Sequence, residues 1–138
     1  MPQPFHLAIP VTSLDDAEAF YGELLGCEKG RSDTQWIDWN FFGHQLVTHK
    51  VARMPSPPEH NSVDHHAVPV PHFGVVLDMD SWRTLAEKLE AAGTEFIIAP
   101  YIRFAGQPGE QATLFFRDPC GNALEFKAFR SMDQLFAT

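Results

Sequence analysis

The chain has 138 residues, 44% hydrophobic and 12% aromatic, with 10 basic and 18 acidic side chains. A chain of this length buries roughly two-thirds of its unfolded surface, so it needs neither disulfide nor metal merely to fold. The net charge of −8, with no run of Lys or Arg, argues against nucleic acid and anionic membrane as partners.

Phe5 to Pro10 is a short apolar segment of strand length. Ser13 stands where a helix cap is wanted. Leu14, Ala17, Phe20, Tyr21, Leu24 and Leu25 then fall on one helical face, which ends at Gly26. Three strand-like pieces follow, at about 28–33, 35–42 and 44–51, the second carrying Trp36, Ile37, Trp39, Phe41 and Phe42. Pro55, Pro57, Pro58, Pro69 and Pro71 break any regular element, which predicts a linker with an exposed loop. From His72 the order restarts. His72 to Leu77 reads as a strand and Asp80 as the cap of a helix. That helix has Trp82, Leu85, Ala86, Leu89 and Ala92 on its apolar face and stops at Gly93. Strands are predicted at about 95–99, 111–117 and 122–129, with a loop or bulged strand over 101–110.

The two halves share landmarks: His6 matches His72, Gly26 matches Gly93, and Gly43 matches Gly121. The chain therefore reads as one α+β domain over 1–138, built from two βαβββ modules at about 4–51 and 71–130, with the linker at about 52–70. One helix covers one face of each sheet. The two remaining faces are expected to meet as a cup-shaped, partly open mixed β-barrel with the helices outside.

Cys27 and Cys120 are too few for a disulfide framework and lack zinc-site spacing, so both read as reduced thiols. No stretch reaches the roughly 18 apolar residues that span a bilayer, and MPQPFHLAIP lacks the basic and apolar regions of a signal peptide. A cytoplasmic location is the expectation.

Side chains alternate across a strand, so parity decides which residues face the cup. With Phe5, Leu7 and Ile9 packed under the helix, His6, Ala8 and Pro10 face the other way; Phe73, Val75 and Leu77 likewise send His72 inward. On the last strand Leu124 and Phe126 pack outward, leaving Ala123, Glu125 and Lys127 on the cup face. A carboxylate inside Leu-Glu-Phe is costly to bury without a positive partner. Two histidines at equivalent positions and one glutamate form a set that holds a divalent ion and leaves open coordination positions. The competing reading makes each histidine a hydrogen-bonded interior residue and pairs Glu125 with Lys127 or Arg103.

The stretches FHLAIPV, AEAFYGELLGC, PHFGVVL, LAEKLEAAG and FFRDPCGNALEFK resemble the vicinal oxygen chelate superfamily, which includes glyoxalase I, bleomycin-resistance proteins and type I extradiol dioxygenases. WIDWNFFGHQLVTH, VPVPHFGVVL and PGEQATLFFRDPCGNALEFKAF are similar to small bacterial proteins described as extradiol-dioxygenase-like. The resemblance covers both halves. It implies paired βαβββ modules around a metal, with ligands on the first strand of each module and the last strand of the second: His6, His72 and Glu125, the three reached by parity. Glyoxalase I-like members add a fourth ligand on the last strand of the first module. Aligning Gly43 with Gly121 puts Val47 there, and valine binds no metal. Gln45 and His49 share its face about 7 Å to either side, so a bulge or slip would bring one of them to the metal as an additional ligand.

Three protein ligands with open positions suit an iron(II) or manganese(II) dioxygenase acting on a catechol-like substrate, with zinc(II), nickel(II) or cobalt(II) as other candidates. A glyoxalase- or epimerase-type lyase or isomerase, and a non-catalytic small-molecule-binding resistance protein, are the competing classes. His49 and Tyr101 are candidate catalytic residues, and Gln45, Arg103 and Lys127 candidate substrate contacts. His60, His65 and His66 lie among prolines in the linker and receive no ligand role. The expected assembly is a homodimer around a small-molecule substrate. A linker of about 20 residues allows the modules to meet within one chain or to exchange between two.

Overall fold

Alternation of burial along β1 (His6–Val11) shows how its sequence selects a face: Ile9 and Val11 are buried, while His6 and Ala8 on the other face are exposed. This computed structural model describes residues 3–56, 59–63 and 66–138. After β1, Ser13 caps α1 (Leu14–Ala17) by accepting from the Asp16 N–H, and the helix continues as a π-helical stretch over Glu18–Leu24. Next come β2 (Glu28–Ser32), β3 (Trp36–Phe41) and β4 (His44–Lys50). β1 pairs in parallel with β4, and β3 lies antiparallel to both β4 and β2, giving the order β1-β4-β3-β2. Phe42 and Gly43 form the two-residue β3–β4 turn with φ of 54° and 88°. Such values suit a primed hairpin turn.

Beyond the hairpin β5 (Glu59–Val63) and β6 (His66–Val70), the second module repeats this plan. It comprises β7 (Val76–Leu77), α2 (Met79–Ala91), β8 (Phe96–Arg103), β9 (Gln111–Arg117) and β10 (Ala123–Phe129). Its sheet order is β7-β10-β9-β8, with the same parallel and antiparallel senses. The fold is thus α+β, with two four-stranded mixed sheets and the two βαβββ modules expected from the repeat. Neither sheet closes on itself. Among the described residues no helix is long and apolar enough to cross a membrane.

The chain divides into two compact units, Met1–Pro57 with Asp118–Asn122, and Pro58–Arg117 with Ala123–Thr138. In the first, the helical face Ala17, Phe20, Tyr21 and Leu25 is buried with Ile37, Trp39, Phe41 and Leu46 of the sheet. In the second, Trp82, Leu85, Ala86 and Leu89 of α2 cover Leu114, Phe116, Leu124, Phe126 and Ala128. Each large apolar side chain so buried contributes about 1.5–3 kcal/mol.

Four expectations need correction. Phe5, assigned to the packed face, is 65% exposed because the ladder begins one residue later. Asp78 rather than Asp80 caps α2: its carboxylate accepts from the Ser81 N–H at 2.8 Å, and Asp80 lies in the first turn. The strand expected over 95–99 continues to Arg103, with register shifts along it. The segment read as an exposed loop contains the β5–β6 hairpin, whose Val68 is buried against Ile98, Phe115 and Ala123. Pro69 does not break β6, since a proline is tolerated on an edge strand.

Candidate metal centre

His6 and Gln45 are direct register partners on β1 and β4. The His6 Nδ1 lies 2.7 Å from the Gln45 Oε1. An amide oxygen only accepts, so Nδ1 carries a proton, and in the neutral ring Nε2 presents the lone pair. His72 is held in the same state by another route: its Nδ1–H donates to the Pro69 carbonyl at 2.7 Å. Its ring stands edge-on to Phe115, 4.7 Å between centroids.

Glu125 sits on β10 with its side chain 20% exposed. Thr113 Oγ1 donates to its Oε2 at 2.7 Å, while Oε1 lies 3.5 Å from the His72 Nε2. Glu125 therefore pairs with His72 and Thr113, not with Lys127 or Arg103. Gly74 makes this juxtaposition possible, because a Cβ on it would collide with the Glu125 carbonyl oxygen. The backbone bonds Phe73 N–H to Ala123 O and Glu125 N–H to Phe73 O bracket that contact at 3.1 and 2.9 Å.

This pair fits a metal ion. With Nδ1–H committed to Pro69, the neutral form of His72 turns its Nε2 lone pair toward a carboxylate oxygen, so both atoms can serve one cation. Two ligand atoms about 2.1 Å from one ion lie about 3.0 Å apart at a right angle and about 3.4 Å apart at the tetrahedral angle. The observed separation is 3.5 Å. A cavity of about 290 Å³ opens at this point, lined by His72, Gly74, Val76, Glu125 and Lys127 among others.

Strand register fixes which residue of β4 corresponds to Glu125 in the repeat. Ala8 pairs with Val47 on β4, two residues beyond the His6–Gln45 pair. The pairs Phe73–Leu124 and Val76–Lys127 place Gly74 beside Glu125, two residues beyond His72. Val47 is thus the counterpart of Glu125, and the β1–β4 register runs without a slip.

The remaining candidates are distributed over both units. Gln45 and His49 are exposed on β4 of the first, where His49 pairs with Pro10 and Trp36. In the second, Tyr101 packs on the Val68, Ile98, Phe115 and Ala123 cluster, and Arg103 stacks over Phe104 at 5.2 Å. Lys127 is partly buried beside the cavity. The structure brings His72 and Glu125 together, whereas His6 belongs to the first unit. No group of three or more His, Cys, Asp or Glu side chains placed to hold a metal occurs among the described residues. His60 is exposed and His65 lies outside the described residues.

Sequence reasoning missed Thr113, Gly74 and the Pro69 carbonyl. Gly74, inside an apolar strand, was a legible sign of close backbone approach. The other two depend on which strands become neighbours.

Two βαβββ modules with the same strand order define a paired-module α+β class of protein. The model of the Glyoxalase/Bleomycin resistance protein/Dioxygenase superfamily matches residues 3–126, and the chain belongs to that superfamily. A glyoxalase/bleomycin resistance protein/dioxygenase from Alicyclobacillus acidocaldarius is 32% identical, with a TM-score of 0.77 over 97% of this chain and 96% of that one. The fosfomycin resistance protein FosX from Listeria monocytogenes shares the fold at 16% identity and TM-score 0.69, over 97% of this chain and 98% of its own. A glyoxalase/dioxygenase from Nostoc punctiforme shares it at 15% identity and TM-score 0.68, over 91% and 90%. No curated protein matches the chain.

Proposed function

We propose that the chain is an extradiol-type ring-cleaving dioxygenase acting on a catechol-like substrate, with His6, His72 and Glu125 holding iron(II) or manganese(II). Superfamily membership supports the coarser statement, a metal-dependent small-molecule enzyme or binding protein. The observation that carries the finer reading is the His72–Glu125 pair at 3.5 Å, with Val47 at the position of a fourth ligand. A ligand set closed at three leaves positions for a bidentate substrate and oxygen.

When bound, the ion supplies Lewis acidity that lowers the pKa of a substrate hydroxyl and draws the reactants to one centre. The chain's own groups do the rest. Thr113 fixes one carboxylate oxygen of Glu125 so that the other faces the cavity. Phe115 backs His72 and keeps water from that side of the ring. His49 and Tyr101 are assigned proton transfer, and Gln45, Arg103 and Lys127 contact with the substrate; the charge of Lys127 beside the cavity suits an anionic substituent. The enzyme is proposed to work in the cytoplasm as a homodimer.

The test is anaerobic loading with iron(II), addition of a panel of catechols, and admission of oxygen. Oxygen uptake with ring-cleaved product is expected. Tight zinc or nickel binding without uptake on any catechol would assign the site to lyase or isomerase chemistry instead.

A further inference from the structure

We infer that Gln45 is a positioning residue for His6, and that the β5–β6 hairpin performs the same task for His72 through the Pro69 carbonyl. The inference rests on the reading of both histidines as ligands through Nε2. Each ring is held at Nδ1 by a neutral oxygen acceptor 2.7 Å away. A ring so held cannot rotate freely and keeps its proton on Nδ1, which leaves Nε2 as the atom that would bind a metal.

The two devices are alternatives at one position of the repeated sheet. In the first module the register partner of His6 is Gln45, whose side chain reaches the ring. In the second, the Phe73–Leu124 bridge places Ala123 beside His72. Alanine has nothing with which to accept. Ala123 is 4% exposed, in one cluster with Val68, which is 1% exposed. A side chain as long as glutamine there would displace Val68, and the residue after Val68 is the one whose carbonyl accepts from His72. The hairpin thus fills the space where a second glutamine would stand and brings the acceptor in its place. This explains why Gln45, a candidate ligand by proximity to Val47, faces His6 instead.

Imidazole tautomers read by nitrogen-15 NMR in the metal-free full-length protein, at a pH where the rings are neutral, test the assignment directly. Both His6 and His72 should carry their proton on Nδ1. Gln45→Leu should release His6 toward the Nε2–H form and leave His72 unchanged. In manganese(II) titrations Gln45→Leu should weaken binding by about 10- to 100-fold. Gln45→Glu should restore or exceed the original affinity, because a carboxylate accepts the same N–H more strongly; a merely structural role for Gln45 predicts no such gain. An unaltered His6 tautomer in Gln45→Leu overturns the inference. His6→Ala separates it from the ligand reading: undiminished manganese affinity in that variant overturns His6 as a ligand even where Gln45 still sets its tautomer.

Discussion

Asp118 is the buried carboxylate among the described residues, and its donors account for it. Tyr21 Oη and Asn122 Nδ2 donate to Oδ2 at 2.8 Å each, and the N–H groups of Cys120 and Asn122 donate to Oδ1 at 2.9 Å. Asn122 Nδ2 also reaches the Pro10 carbonyl at 2.8 Å, tying the 118–122 turn to β1. That the Asp118 carboxylate is buried under a tyrosine 97 positions away is a long-range fact. Burial, and secondarily the charge of Asp118, raise the Tyr21 pKa well above its ordinary value. The unfolded chain therefore loses the tyrosine proton first, so stability falls as pH rises past about 10. Tyr21→Phe should cost about 2 kcal/mol at neutral pH and lose part of the alkaline decline, as read from urea unfolding at pH 8 and 10.5. Bound metal should be unchanged.

At the scale of elements, alternation identified the faces of β1 and β10 correctly, because burial on one side of a strand imposes a period of two that any register respects. The loop reading of 52–70 failed on the same scale. Proline density punctuates a sequence, yet Pro69 sits in a strand whose worth comes from Val68 packing on another sheet. Gly74 shows what element packing demands of one residue. Gly74→Ala would drive its strand off β10 and is expected to cost more than about 3 kcal/mol and to abolish metal binding at His72 and Glu125. Gly109 has open space within 4 Å of where a Cβ would stand and no positive φ, so it is the control, and Gly109→Ala should be near neutral. Thermal melts with metal analysis on both variants check the contrast.

On the scale of the molecule, the proposed ligands are divided between the units, His6 in the first and His72 with Glu125 in the second. In the proposed homodimer, with the site shared between chains, co-expressed His6→Ala and Glu125→Gln chains should recover about a quarter of wild-type metal by random pairing, although neither binds alone. No recovery would assign each site to a single chain. The sequence by itself determined the repeat, the α+β class and the three ligand candidates, because periodicity and landmark spacing are written locally along the strand. Tertiary structure alone decided which oxygen orients each histidine, which hydroxyl steadies Glu125 and where the linker packs. Those contacts join residues brought together by strand register and burial, and no local pattern encodes which strands become neighbours.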